Sequence, residues 1–332
     1  MSVTITAFFN NRGGVGKTWL VYHLTCMYAR LGIRVVAADL DPQANLTSAF
    51  LDEDSLELFW PDGDHPNTVY GVVRPLIERT GDIGEPHVEE MDGNAALLVG
   101  DMLLSGFEDP LSQEWQKAMD ADAGSFRVLS CFRRMIHQAA SRHEAKLCLM
   151  DLGPNLGAIN RAALLSADYV VVPLAPDLVS LQGLRNLGPT LRRWREQWKK
   201  RLEQAPSGLP QLPAGRMEPA GYVVMQHAER LDGPVRAYGK WMDRIPQVYR
   251  SEVEGEELES GIGLDNDPHC ISLLKHFGSL IPMGREARKP IFELRAADGA
   301  LGAHAKAVQD AYTAFEKLAL GIARRISLDV PK

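Results

Sequence analysis

The chain has 332 residues, enough for two or three domains or for one large sheet with its helices. Hydrophobic residues make up 45% and charged residues 24%, an ordinary globular balance that excludes a disordered or fibrous chain. A formal charge of −7 excludes a surface that is cationic throughout, so any grip on nucleic acid must come from a few placed side chains.

The longest apolar runs, such as 169–174, fall far short of the ~20 residues of a membrane helix, and the N-terminus reads as a strand rather than a leader. No membrane association is expected. Cys26, Cys131, Cys148 and Cys270 lie far apart with no CxxC pair, which points to neither a disulfide framework nor a thiolate metal cage and fits a reducing cytoplasm.

In chain order, the β-branched and aromatic run 3–9 predicts a strand, 10–14 a loop, and the apolar period over 18–31 a helix that Gly32 stops. A second buried strand follows at 33–38 and ends in Asp39-Leu40-Asp41-Pro42. From 52 to 124 the pattern weakens, with a helix near 69–79 and a short strand at 97–99; this reads as an elaboration on the sheet. Further strands are expected at 146–150, 169–173 and 221–225 with helical patterns between them, and surface loops at about 205–219 and 251–267. Such alternation predicts an α/β fold: a doubly wound, mostly parallel sheet flanked by helices, spanning 1–332 as one domain.

The strongest chemical signal is RGGVGKT at 12–18, between a predicted strand and a predicted helix. Gly13, Gly14, Val15 and Gly16 give a backbone that can close around phosphate oxygens, Lys17 brings a point charge to β/γ phosphates, and Thr18 offers a hydroxyl to Mg²⁺. Asn11 stands where the general phosphate loop has glycine, so the match is to a deviant form. A nucleotide site also needs carboxylates for metal and water; Asp39, Asp41 and Asp151 all fall at strand ends, where ligands of open α/β sheets bind. The same aspartates could instead cap the following helices or turns.

These motifs together resemble the ParA/MinD family of deviant Walker ATPases: NNRGGVGKTW at 10–19, ADLDPQANLT at 38–47 and LMDLG at 149–153, with weaker likeness at 170–184 and 280–289. Asp41-Pro42-Gln43 is the ParA-like form. The resemblance implies the P-loop NTPase fold, ATP and Mg²⁺ as cofactors, slow hydrolysis stimulated by a partner protein, and a homodimer with ATP sandwiched between subunits. By residue it implies Lys17, Thr18 and Trp19 at the nucleotide, Asp41 orienting the hydrolytic water, and Asp39 and Asp151 supporting the metal's water shell. The cargo it implies is DNA, in partition or segregation. Two positions depart from the family. Arg12 stands in place of its signature lysine, which reaches across the dimer, and Met225-Gln226 replaces a purine-reading asparagine; Gln226 and the backbone around Pro282 are the candidates left to read adenine.

The segment 192–201 carries six cations against one anion. On a helix, Leu191, Trp194, Trp198 and Leu202 share one face, so the tryptophans read as core, Arg193 and Lys200 point away, and Arg192 and Lys199 flank. The cations are either a solvated face, a non-specific DNA phosphate patch, or a dock for an acidic partner. Val308, Tyr312, Phe315, Leu318, Ala319 and Ile322 form a core stripe on the last helix, and the tail after it is too short and too mixed in charge for a membrane anchor. Outside the switch class, an ATP-dependent ligase of a related fold remains open, whereas an iron–sulfur reductase lacks suitably placed cysteines.

Overall fold

The computed structural model describes residues 3–91, 93–209, 211–225, 235–256 and 262–331, with backbone alone at 235–238. Its strands are β1 (Thr4–Phe8), β2 (Val35–Asp39), β3 (Glu89–Glu90), β4 (Ala95–Leu98), β5 (Leu147–Asp151), β6 (Tyr169–Leu174), β7 (Glu218–Met225) and β8 (Cys270–Leu274). They form one sheet in the order β3-β4-β2-β5-β1-β6-β7-β8. Every neighbouring pair is parallel except β3 with β4.

The helices are α1 (Lys17–Arg30), α2 (Asn45–Phe50), α3 (Glu53–Phe59), α4 (Val69–Ile77), α5 (Glu108–Lys117), α6 (Ala123–Leu129), α7 (Cys131–Arg142), α8 (Ala158–Ser166), α9 (Leu178–Leu202), α10 (Val235–Met242), α11 (Ile245–Val248), α12 (Leu280–Ala287) and α13 (Ala303–Arg325). β2 and β5 are buried along their whole length, as parallel strands covered on both faces must be. Alternation then splits the core in two. Ile5 and Ala7 of β1 join a layer with Phe132 of α7 and Leu184 of α9, while Phe8 joins Leu20 of α1 and Phe315 of α13 on the other face.

The 52–124 elaboration is part of this sheet: β4 pairs beside β2 in the register Val35↔Ala95, and β3 closes the edge antiparallel. Its sequence pattern is faint because β4 has four residues and β3 only two. The elaboration also supplies Trp115 of α5, which stacks on Trp198 of α9 at 6.0 Å between ring centroids. Arg161 and Arg201 lie over the same Trp115 ring at 4.3 and 3.9 Å, welding α5, α8 and α9 together.

Three expectations need correction. The expected loop at 251–267 begins instead with a π-helical segment, Tyr249–Glu254, whose Val253 is buried and whose Val253 carbonyl accepts from Arg192 Nη1 at 3.3 Å. β7 starts three residues before the expected 221, because bulges in its pairing with β6 and β8 let a pattern broken by Pro219 and Gly221 stay in the sheet. β8 was not anticipated; it is a short edge strand with only one fully buried residue, Leu274, so its sequence carries little of a core strand's signature.

Candidate functional site

The loop between β1 and α1 is held from below before it meets any ligand. Asn10, buried, donates from Nδ2 to the Pro173 carbonyl at the end of β6 (2.8 Å), and its Oδ1 accepts the Arg12 N–H (3.0 Å). Val15 is buried as the loop's anchor, and Gly16 enters α1 at φ 87°, a left-handed conformation that glycine adopts without steric cost. The first turn of α1 carries no acidic side chain, so its N–H groups and positive dipole end are left for an external anion.

A cleft of about 780 Å³ opens over this helix end. Gly13, Gly14, Gly16, Lys17, Thr18 and Trp19 form its floor, Asp41 and Gln43 one wall, and Ile281, Gly284 and Arg285 of α12 the other. Lys17 is mostly buried and donates to the Arg12 carbonyl at 3.2 Å; burial pulls its pKa down, while Asp151 and Asp41 pull it up. A lysine folded onto its own loop at the edge of the cleft has ammonium donors within reach of an anion that enters it.

The three strand-end aspartates are not equivalent. Asp39 points into α2, accepting from Thr47 N and Thr47 Oγ1, each at 2.8 Å. Asp41 lines the cleft and accepts the Gln43 N–H at 3.0 Å. Asp151, in register with Asp39 on the adjacent strand, is fully buried, and neither of its carboxylate oxygens has a hydrogen-bond partner. Burial first and the charge of Asp39 next push the Asp151 carboxyl well above the usual range, with the nearby Thr18 hydroxyl and then Lys17 acting the other way. Burial also raises Asp39. An unpartnered carboxylate beside a cleft whose floor donates N–H and N⁺–H groups fits a site that a cation completes.

Arg12 takes a course that its motif does not announce. Its Nη1 forms an ion pair with Asp177 and donates to Ser180 Oγ at 2.9 Å, both at the start of α9 in the same chain. Asp177 is also the N-cap of α9, accepting from Ser180 N at 2.9 Å. The sequence reading missed Asp177 and Ser180 as site residues, although Asp-x-x-Ser before a long apolar-periodic run is itself an N-cap signal.

Trp19 lines the cleft and packs on His23 at 4.2 Å and Phe315 at 5.3 Å. His23 is neutral, its pKa lowered to about 3 by burial, with Nδ1 at 2.8 Å from the Trp19 carbonyl and Nε2 accepting from Ile291 N. Of the candidate base-reading positions, Gln226 lies outside the described residues. Pro282 is exposed on α12, and its neighbours Ile281 and Gly284, rather than its own ring, face the cleft.

On α9, Trp194 and Trp198 are core, as their spacing predicts. The cations divide. Arg192 is spent on the Glu252 and Val253 carbonyls, Arg195 on the Met217 carbonyl at 2.7 Å, and Arg201 on the Trp115 carbonyl at 2.8 Å. Arg192 is thus half-buried against the chain, and of the segment's cations only Arg193, Lys199 and Lys200 stay exposed. Among the described residues no helix is long and apolar enough to cross a membrane.

Residues 3–204 match the family described as AAA domain. Over 200 residues the chain is 28% identical to protein IncC of Escherichia coli, covering 59% of this chain and 47% of IncC. It is 27% identical to the chromosome partitioning protein ParA of Caulobacter vibrioides over 60% of this chain and 66% of that one. The chain thus spans about half the length of IncC and just under two thirds of ParA. Among solved structures, protein DIP2308 of Corynebacterium diphtheriae superposes with a TM-score of 0.61 at 28% identity, covering 77% of this chain and 91% of that one. The Cyanothece McdA(D38A)–ATP complex gives a TM-score of 0.64 at 14% identity over 99% and 98% of the two chains, a likeness of fold. The phosphate loop, the strand-end aspartates and the match over 3–204 agree: the chain belongs to the AAA-domain family, among its ParA/MinD-type P-loop ATPases.

Proposed function

We propose that this chain is a Mg²⁺-dependent ATPase of the partition type, an ATP-dimerising switch of the cytoplasm that positions a cargo and is stimulated by a partner protein. The observation that carries the reading is the unpartnered, buried Asp151 carboxylate behind a floor made of the Gly13–Thr18 backbone and Lys17. The names of IncC and ParA favour partition, and the McdA structure holds ATP.

In this reading the α1 N–H groups and Lys17 bind the β/γ phosphates. Thr18 and Asp151 would hold Mg²⁺ on the cleft side, with Asp39 behind. Bound there, Mg²⁺ supplies charge neutralisation on the phosphate oxygens. Among the described residues no three His, Cys, Asp or Glu side chains converge to bind a metal unaided, so a cation takes further ligands from nucleotide and water. Asp41, on the cleft wall, orients the attacking water. Arg12 leaves Asp177 to reach the phosphates held by a second subunit, and Arg193, Lys199 and Lys200 offer a small DNA-facing patch.

Light scattering tests the reading. Asp41→Ala with MgATP is expected at twice its monomer mass, with Lys17→Ala remaining monomeric under the same conditions. An Asp41→Ala chain that stays monomeric at saturating ATP refutes the switch.

A further inference from the structure

The loop 152–156 follows Asp151 and runs along two parts of the cleft. An added Cβ at Gly153 would lie 3.1 Å from Asp41 Oδ1, so the loop leaves no room there for a side chain beside that carboxylate, and Pro154 lines the cleft next to Gly13. Leu152 is buried in the core and Leu156 packs against it, so the two ends of the loop are anchored by their own side chains, whereas Gly153 and the exposed Pro154 between them are not. Restraint there comes from Asn160, one turn into α8 and 1% exposed. Asn160 Nδ2 donates to the Gly153 carbonyl at 2.9 Å and to the Asn155 carbonyl at 2.7 Å, with Asn155 Oδ1 at 3.1 Å. All three neighbours are oxygen acceptors, which fixes the orientation of the amide. Asn155 Oδ1 also accepts the Gly157 N–H at 2.9 Å, closing the turn.

The helix that carries Asn160 is itself anchored from outside. Glu108, the first residue of α5, reaches over so that Ile159 N donates to Oε2 at 3.0 Å and Ala158 N to Oε1. A carboxylate on two free N–H groups of a helix N-terminus is a charge-assisted cap. With α8 fixed, the Asn160 amide acts on the loop rather than following it.

We propose that Asn160 is a positioning residue for nucleotide hydrolysis: its buried amide, tied to the Gly153 and Asn155 carbonyls, sets the loop backbone against Asp41 and so fixes where Asp41 holds water. This rests on the hydrolytic reading of the site given above. Asn160 is not among the residues that line the cleft, so its loss should leave ground-state binding alone and lower turnover. A displacement of about 1 Å near the reacting atoms can cost on the order of 10²-fold in rate.

The experiment compares wild type, Asn160→Ala and Asn160→Thr for MgATP affinity by calorimetry, steady-state kcat and thermal unfolding. Asn160→Ala is expected to bind ATP within about twofold of wild type while kcat falls about 10²-fold. Asn160→Thr keeps one donor toward the loop carbonyls and should recover part of kcat. Unchanged turnover in Asn160→Ala overturns the proposal while leaving the ATPase reading intact. Parallel losses of affinity, kcat and melting temperature in both variants also overturn it, because they mark a structural role alone. A wild type that binds ATP and never turns it over sinks the hydrolytic reading and this role with it.

Discussion

Asp151→Asn should make the nucleotide-free protein more stable and the enzyme inactive. Asp151 is fully buried, has no hydrogen-bond partner on either oxygen, and faces Asp39 across adjacent strands. A buried polar group left unpaired costs about 1–3 kcal/mol, and a charged one more. The amide removes the cost of holding that buried carboxyl protonated at neutral pH and adds donors on the side of the sheet that Asp39 and Asp41 make acidic. Unfolding entropy of about 2.1 cal/mol/K per residue comes to about 0.7 kcal/mol/K for a chain of this length, so the gain corresponds to a rise in Tm of about 1–4 °C.

The sign of the pH dependence follows from the raised carboxyl. A group whose folded pKa lies above its ordinary 3.8 stabilises the fold fully below that value and loses the contribution as pH rises toward the folded pKa. The advantage of Asp151→Asn should therefore be largest at neutral pH and shrink as pH is lowered toward 4. Thermal unfolding followed by circular dichroism at pH 7 and pH 5, without nucleotide, measures this; MgATP turnover in the same variant should fall by about 10²-fold or more. A variant that melts at or below wild type at both pH values would show that the buried carboxylate carries no penalty, and the argument for a cation-completed site would lose its basis.

Asp177→Asn retains an N-cap for α9 and removes the ion pair that holds Arg12 in its own chain. Both partners are about one-third exposed, so each pair is worth only about 0.5–1 kcal/mol after screening; with one pair relieved in each subunit, the ATP-dependent dimer of the Asp41→Ala background should tighten about five- to thirtyfold by analytical ultracentrifugation. Weaker dimerisation would mean that Asp177 helps Arg12 rather than restrains it. Changing Arg193 and Lys200 together to Glu should weaken ATP-dependent duplex binding at every sequence and reduce the salt slope by ~0.9 per lost phosphate contact. Arg192→Ala, by contrast, should lower Tm with no change in that slope, and a slope change there would return Arg192 to the DNA surface.

The phosphate loop and its aspartates were legible because their chemistry demands fixed residue types next to a strand end, and β1, β2 and β5 are long enough apolar runs to be found without help. The stripe of Trp194 and Trp198 was legible for the same reason, since helical period alone separates core from surface. Arg12 was visible as an anomaly, but its ion pair with Asp177 joins residues 165 apart and no local pattern encodes it. Asn160 and Glu108 were invisible on similar grounds: an asparagine inside a helix and a glutamate opening one are common, and only the packing of α5 against α8 gives them work. The π-helical segment at 249–254 escaped notice because a charged, glycine-bounded stretch reads as loop until the Glu252 and Val253 carbonyls are seen to serve as acceptors for Arg192.

The Trp115 contact has an engineering consequence. A designer paring the chain down to its motifs would cut first at 52–124, where the sequence is least patterned. That cut removes β4 and turns β2 into an open edge, with a row of bare N–H and C=O groups ready to pair with other chains. It uncovers one face of the Trp198 indole, strips Arg161 and Arg201 of the ring beneath them, and takes away the Glu108 cap from α8. The least conspicuous quarter of the sequence is thus a part that a minimal version of this protein has to keep.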